Sequence, residues 1–145
     1  MSFIQIDQID LHYEEYGDAG RSVLLLHGWG QNTEMMAFIG EFLKSHFHVY
    51  NLDLPGFGQS GEPDRAWGSE EYCDFVKHFS DTMGIEDPII IGHSFGCRIA
   101  IQYESGQKGR TVNPLASACV GSNPTSPTTN LFWESVWFRP GAFSA

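Results

Sequence analysis

The sequence predicts an α/β fold, with a mostly parallel sheet, helices on both faces and an antiparallel hairpin at the N-terminus. Two continuous apolar runs, residues 23–26 and 88–91, are typical of parallel strands buried on both faces. Apolar residues recur at helical spacing in residues 33–44 and again in residues 69–83. Strands that alternate with helices imply right-handed crossovers, and function in such sheets collects beyond the carboxyl ends of the strands.

The N-terminal segment predicts two short strands. Within residues 3–16, apolar and polar residues alternate in 4–7 and again in 9–13, which favours an antiparallel hairpin with one solvated face. His12 belongs to the polar set of this pattern. The turn formers in residues 17–20 end the hairpin, and residues 48–52 predict a further strand between the two helical segments.

Both helical segments carry an apolar stripe. In the first, a stripe of methionine, phenylalanine and aliphatic residues predicts a face packed on the sheet, in preference to a cofactor site: Met35, Met36, Phe38, Ile39, Phe42 and Leu43. In the second, the predicted buried face consists of Tyr72, Phe75, Val76, Phe79 and Met83. Ser69 is expected to cap the first turn of this helix, and Gly84 is expected to end it.

Composition excludes several classes of protein. The chain has 145 residues, enough for one domain, and 41% of them are hydrophobic, which argues against disorder. Its net charge of −10 argues against nucleic acids and anionic membrane surfaces as partners. No histidine has a partner at metal-ligand spacing, so neither a metal nor a cofactor is expected. The three cysteines form no disulfide framework and residues 1–7 do not resemble a signal peptide, so a cytoplasmic location is expected.

Three short segments follow the predicted strands. Residues 92–96 (Gly-His-Ser-Phe-Gly) lie between a strand and a helical segment, the context of a nucleophile elbow, in which a serine occupies a sharp turn. Residues 27–30 (His-Gly-Trp-Gly) and residues 53–60 (Asp-Leu-Pro-Gly-Phe-Gly-Gln-Ser) also follow strands directly. Residues 53–61 lack the ending of a P-loop and the Gly-x-Gly-x-x-Gly pattern, which makes a dinucleotide-binding oxidoreductase the weakest alternative.

In this order and spacing, the three segments resemble those of the α/β-hydrolase family, and the likeness extends over roughly residues 3–104. The resemblance implies that Ser94 is a nucleophile and that the backbone N–H groups of Trp29 and Phe95 form an oxyanion hole. It also implies that His27, Gly28 and Asp53 support the loops. His93 is interpreted as a packing or hydrogen-bonding residue.

The resemblance implies a reaction class as well. A serine nucleophile disfavours the dehalogenase and epoxide-hydrolase branches, which carry aspartate at the position of Ser94. What remains is hydrolysis of an ester, thioester, amide or peptide carbonyl, or of a carbon–carbon bond, through an acyl-enzyme. The implied partner is a small apolar acyl substrate.

The sequence departs from the family after Ser94. The family supplies its acid and its histidine base after the serine, but residues 95–145 contain no histidine and no aspartate. The only carboxylates there are Glu104 and Glu134. Because a serine hydroxyl needs an adjacent general base, this chain is expected to be inactive although its lineage is that of a serine hydrolase. The alternative is a non-catalytic, degenerate hydrolase that binds a ligand or a partner.

The chain divides into a partial hydrolase core, residues 1–104, and an atypical tail, residues 105–145. In the tail, 21 of the 41 residues are Ser, Thr, Pro, Gly or Asn, and residues 112–116, where the family has its next buried strand, contain a proline. We hypothesise a change of reading frame near Ser105 or a truncated gene. The alternative is a natural short variant whose tail packs as a cover.

Without later strands, residues 89–91 would form an exposed sheet edge, so self-association is expected.

Overall fold

The computed structural model describes residues 2–106, 117–120 and 136–138, which form a seven-stranded sheet with three helices. The elements are β1 (Ser2–Ile6), β2 (Ile9–Tyr16), β3 (Ser22–Leu26), α1 (Thr33–Leu43), β4 (His48–Leu52), α2 (Ser69–Met83), β5 (Ile89–His93), α3 (Phe95–Gly106), β6 (Ser117–Val120) and β7 (Val136–Phe138).

The sheet is mixed, with the strand order β1-β2-β4-β3-β5-β6-β7. The four central strands β4, β3, β5 and β6 are parallel, and the hairpin of β1 and β2 joins this centre through an antiparallel pair with β4. At the other side, β7 pairs antiparallel with β6. The predicted α/β class, with a parallel centre and an N-terminal hairpin, is confirmed.

Side chains of the central strands alternate between two cores. On β3, Leu24 and Leu26 belong to the larger core, which lies under α2 and α3, whereas Val23 and Leu25 belong to a smaller core under α1. All four are at most 1% exposed. Burial on both faces explains why this strand is continuously apolar, since each such side chain contributes about 1.5–3 kcal/mol when it leaves water.

The hairpin differs from the expectation at one position. His12 lies on the predicted solvated face of β2, but it is fully buried. Its Nδ1 is 2.8 Å from Oδ2 of Asp53, and its ring centroid lies 5.1 Å from that of Phe3. The face is therefore covered at this point, because the loop after β4 supplies a hydrogen-bonding partner for the imidazole.

Helix α1 buries only half of its predicted apolar face. Met36 is 2% exposed, and Ile39 and Leu43 pack against the smaller core. The other three residues, Met35, Phe38 and Phe42, are 41%, 69% and 82% exposed, so the prediction that they pack on the sheet is wrong. At about 100° per residue, these three fall on a second stripe that is turned away from the sheet.

Helix α2 has the predicted bounds, but its N-cap differs. The cap is Gly68 and not Ser69, and the N–H of Gly68 donates to Oε2 of Glu71 at 2.9 Å. Gly84 ends the helix as predicted, in the left-handed conformation with φ of 69°. None of the three described helices is both long and apolar enough to cross a membrane.

Strand β5 is not an edge of the sheet, so that expectation is wrong. It lies between β3 and β6, and its residues Ile90 to His93 are paired in register with Ser117 to Val120. Residues 112–116, where the family strand was expected, lie outside the described residues, and β6 begins directly after them. Because the tail supplies this strand, self-association cannot be argued from β5. It stays a prediction, as does the domain boundary at residue 104.

Candidate functional site

Ser94 is the single residue between the end of β5 and the start of α3. It is exposed, and its φ of 53° lies in the left-handed region, which is costly for a residue with a Cβ. Its carbonyl accepts the N–H of Cys97 at 3.0 Å, which closes the turn at the start of the helix. The turn therefore places Ser94, an exposed residue, at the carboxyl edge of the parallel strands.

The two glycines of the turn have no room for a side chain. A Cβ on Gly92 would overlap the backbone of Gly96 and Cys97, and a Cβ on Gly96 would overlap the carbonyl of Leu26 at the end of β3. The turn is thus folded tightly on itself and against the neighbouring strand. This close approach explains why the pattern has glycine two residues before and two residues after the serine.

His27, which directly follows β3, connects two loops. Its Nε2 accepts the N–H of Leu54 at 2.9 Å, and its Nδ1 lies 2.7 Å from the carbonyl of Gly28. Because a backbone N–H can only donate, Nε2 is unprotonated and the ring proton is on Nδ1. Burial lowers the pKa of His27, so the ring is neutral near pH 7. Both ring nitrogens are occupied in holding the loop.

Asp53 is a buried acceptor for three groups. Its Oδ1 accepts the N–H of Thr33, the first residue of α1, at 2.7 Å. Its Oδ2 lies 2.8 Å from Nδ1 of His12 and 2.9 Å from the N–H of Gln59, which donates to it. The carboxylate is only 2% exposed. Its hydrogen bonds therefore fix the loop after β4 against β2 and α1, and none of them goes to Ser94.

Ser60 closes the same loop. Its hydroxyl donates to the carbonyl of Asp53 at 2.6 Å and accepts the N–H of His12 at 2.9 Å. Sequence reasoning missed the roles of Ser60 and His12. Ser60 belongs to one of the recognised segments, which is the signal that could have identified it. The hairpin offers no such signal for His12, because alternation places it among solvated residues.

Gln31 was also missed. Its Oε1 accepts the N–H of Gly28 at 2.9 Å and lies 3.1 Å from Nδ1 of His93. The side chain thereby connects the loop after β3 with the last residue of β5, next to Ser94. It lies one residue beyond the recognised segment 27–30, and nothing in the local sequence marks it.

A cluster of aromatic rings includes Phe95, the residue that follows Ser94. The indole of Trp29 lies edge-to-face with three of them, at centroid distances of 4.9 Å from Phe57, 5.3 Å from Phe95 and 6.5 Å from Tyr72. Tyr72 is buried, and its hydroxyl donates to the carbonyl of Pro55 at 2.9 Å. Trp29 nevertheless remains 62% exposed. The two residues with the expected donor N–H groups, Trp29 and Phe95, are thus brought into contact through their side chains.

The described part of the site can supply a hydroxyl and N–H dipoles. Phe95 is the first residue of α3, and the first N–H groups of a helix have no partner within it and carry its positive dipole end. The described residues contain no group of three His, Cys, Asp or Glu side chains that could hold a metal ion.

The family model for the alpha/beta hydrolase family matches residues 23–145. The chain is 34% identical over 110 residues to the AB hydrolase superfamily protein YisY of Bacillus subtilis, covering 75% of this chain and 41% of that protein. It is 45% identical over 93 residues to the pimeloyl-[acyl-carrier protein] methyl ester esterase of Salmonella newport, covering 64% of this chain and 34% of the esterase. The chain therefore belongs to the alpha/beta hydrolase family. It spans less than half of the length of these two relatives, one of which is named as an esterase.

Solved structures agree with this assignment. A membrane phospholipase A described as a bacterial virulence factor superposes with a TM-score of 0.69 and 29% identity, covering 72% of this chain and 34% of that one. Est816, an enzyme that degrades N-acyl homoserine lactones, superposes with a TM-score of 0.66 and 25% identity, covering 75% and 42%.

Proposed function

We propose that Ser94 is the nucleophile of a serine hydrolase site whose oxyanion hole consists of the N–H groups of Phe95 and Trp29. The observation that carries this proposal is the conformation of Ser94. An exposed serine at φ of 53° is retained between a buried strand and a helix, by two glycines that have no room for a Cβ. Strain of this kind persists only where the surrounding structure imposes it, and it is concentrated at functional sites.

The reaction is acyl transfer to water. Oγ of Ser94 forms a bond to the carbonyl carbon while its proton passes to a base, and the carbonyl oxygen becomes an alkoxide. Two N–H donors aimed at that alkoxide contribute about 3 kcal/mol each to lowering the barrier. Collapse of the adduct expels the leaving group, which takes up a proton, and water then hydrolyses the acyl-enzyme.

The sequence lacks the histidine base that the family places after the serine. No histidine follows Ser94, and both ring nitrogens of His27 are occupied by backbone groups. The proposal is therefore that this chain alone orients an acyl substrate at Ser94 but does not turn it over.

The proposed substrate is an ester with a small apolar acyl group. Support comes from the exposed indole of Trp29 and from the rings of Phe57 and Phe95 that contact it, and from relatives named as esterases. The second candidate is a non-catalytic protein that binds an apolar ligand against the same rings. The lack of a later aspartate and histidine favours this second candidate. A cytoplasmic location is part of the proposal and rests on the sequence alone.

Chemical rescue tests the proposal. The chain is mixed with p-nitrophenyl butyrate at increasing imidazole concentrations, and p-nitrophenolate release is compared with that of Ser94→Ala at each concentration. Without imidazole the two should release p-nitrophenolate at the same rate. With imidazole as the proton acceptor, the unmodified chain should exceed Ser94→Ala, and mass spectrometry should locate a butyryl group on Ser94.

Ser45→Ala is the matched control, because Ser45 is an exposed serine after α1 and should behave like the unmodified chain. If imidazole gives no excess over Ser94→Ala, Ser94 is not a nucleophile and binding without catalysis becomes the better reading. If the chain exceeds Ser94→Ala without imidazole, the proposal that a base is missing is wrong. A fluorophosphonate probe that labels Ser94 in that case would show that the hydroxyl is already activated.

A further inference from the structure

Gln31 occupies the junction between the two segments that carry the proposed oxyanion donors. Its Oε1 accepts the N–H of Gly28, the residue before Trp29, at 2.9 Å. The same oxygen lies 3.1 Å from Nδ1 of His93, the residue before Ser94. One side-chain atom is therefore hydrogen-bonded to both segments, within two residues of each donor.

The direction of both hydrogen bonds follows from chemistry. The N–H of Gly28 can only donate, so the amide oxygen of Gln31, and not its NH₂ group, must face it. Because this oxygen can only accept, Nδ1 of His93 must carry a proton. The amide orientation and the protonated nitrogen of His93 are thus both determined by a backbone group whose role is fixed.

The space around this oxygen is closed. A Cβ placed on Gly28 would lie 2.8 Å from Oε1 of Gln31 and 3.0 Å from Nδ1 of His93, and Gly28 itself is buried. Any side chain at Gly28 would displace the bridge. The glycine of the recognised segment therefore makes room for the Gln31–His93 contact.

We propose that Gln31 is a positioning residue that sets the separation of the Trp29 and Phe95 N–H groups. This inference rests on the proposed function and deepens it. The N–H of Gly28 already donates to Oε1 of Gln31. The next N–H along the loop is that of Trp29, which is therefore the one that can face the substrate. Without the bridge, the loop after β3 and the Ser94 turn are still joined by ring contacts, but ring contacts do not fix an N–H direction within the tolerance that an oxyanion requires.

The first test measures acylation. Gln31→Leu has a similar volume and no acceptor, whereas Gln31→Glu keeps an oxygen that can accept both hydrogen bonds. At saturating p-nitrophenyl butyrate and fixed imidazole, Gln31→Leu should acylate Ser94 about 10- to 100-fold more slowly than the unmodified chain, with little change in the ester concentration for half-maximal rate. Gln31→Glu should recover part of that loss. Gln5→Leu, on the exposed face of β1, is the control and should acylate at the normal rate.

The second test does not depend on acylation. Nitrogen-15 NMR of the histidine rings should show His93 protonated at Nδ1 in the unmodified chain and in Gln31→Glu. In Gln31→Leu the His93 signals should move towards those of a ring with mixed tautomers, while His27, which is held by backbone groups, should not change. A general loss of folding would shift the signals of both His27 and His93. Comparing the two histidines therefore distinguishes loss of the Gln31 contact from loss of the fold.

The two tests distinguish failure of the positioning role of Gln31 from failure of the proposed function of Ser94. If Gln31→Leu acylates within about twofold of the unmodified chain, or if its His93 signals are unchanged, the positioning role is wrong. If the unmodified chain is not acylated at all, the proposed function fails and the role in acylation fails with it, while the His93 signals still decide whether the bridge exists.

Discussion

Two turns at the carboxyl edge of the parallel strands use their polar residues in opposite ways. In the loop after β4, the carboxylate of Asp53 is buried and accepts from Thr33, His12 and Gln59. In the turn after β5, Ser94 is exposed and held in a strained backbone conformation. Both belong to segments that the sequence marks equally clearly.

The difference separates a structural loop from the proposed site of chemistry. The carboxylate of Asp53 is committed to neighbours within the fold, so removing it should cost stability. Ser94 is exposed and the strain of its turn is borne by the rest of the fold, so removing its hydroxyl should abolish the proposed acylation and leave stability unchanged or improved. Four predictions test this contrast.

The largest effect is expected where the Ser94 turn touches the sheet. Gly96→Ala places a Cβ on the carbonyl of Leu26, so the turn or β3 must move. We expect a loss of about 4 kcal/mol in the free energy of unfolding, measured by urea denaturation, or failure to fold. Gly84→Ala is the control: Gly84 has a positive φ, which Gly96 does not, but nothing outside its own segment lies within 4 Å of the new Cβ. It should lose only about 1 kcal/mol. Equal losses would contradict the close packing of the turn.

Asp53→Asn should give the next largest effect. The amide has one acceptor oxygen where the carboxylate has two, so its NH₂ group must face at least one of the donors from His12, Thr33 and Gln59. We expect a loss of about 3 kcal/mol, measured by urea denaturation. Asp64→Asn, at an exposed position in the same connection, should stay within about 0.5 kcal/mol. A loss below about 1 kcal/mol for Asp53→Asn would make its loop no more structural than the Ser94 turn.

His27 should make a smaller contribution that depends on pH. Burial lowers its pKa below the ordinary 6.5, so in the window between the lowered value and 6.5 the unfolded chain binds a proton that the folded chain refuses. Stability should therefore fall as the pH falls below 6.5, by at most about 1.4 kcal/mol per pH unit from this group. His27→Gln removes the titration, so its urea midpoint should vary less with pH below 6.5 than that of the unmodified chain. An unchanged slope would show that His27 is not the group responsible.

The smallest effect is expected at Ser94 itself, with the opposite sign. Ser94→Gly relieves the backbone strain at φ of 53° but increases the freedom of the unfolded chain, so a net gain of about 0.5 kcal/mol is expected. Ser94→Ala keeps the Cβ and should leave stability within about 0.3 kcal/mol of the unmodified chain. Thermal unfolding of the three chains side by side gives the comparison. A glycine variant less stable than the alanine variant would show that the turn is not strained.

Much of the fold was predictable from local patterns. The continuous apolar run before residue 27 predicted a strand buried on both faces, and the periodicity of residues 69–83 gave the exact bounds of α2. Where prediction failed, the deciding contact came from a distant part of the chain. The alternation that placed His12 in solvent contains no information about an aspartate 41 positions later. Likewise, the apolar stripe on α1 does not indicate how much of it the sheet can cover.

The sequence by itself determined the order of elements from β1 to α3, the three segments that meet at one edge of the sheet, and the position of Ser94 between a strand and a helix. These are local properties, because an apolar run, a helical period and a requirement for glycine are each encoded within a few residues. Only the tertiary structure decided that His12 and Asp53 pair, that β6 covers β5, and that Gln31 joins Gly28 to His93. Those contacts depend on which surfaces the folded sheet brings within hydrogen-bonding distance, and a hydrogen bond is fixed to within a few tenths of an ångström.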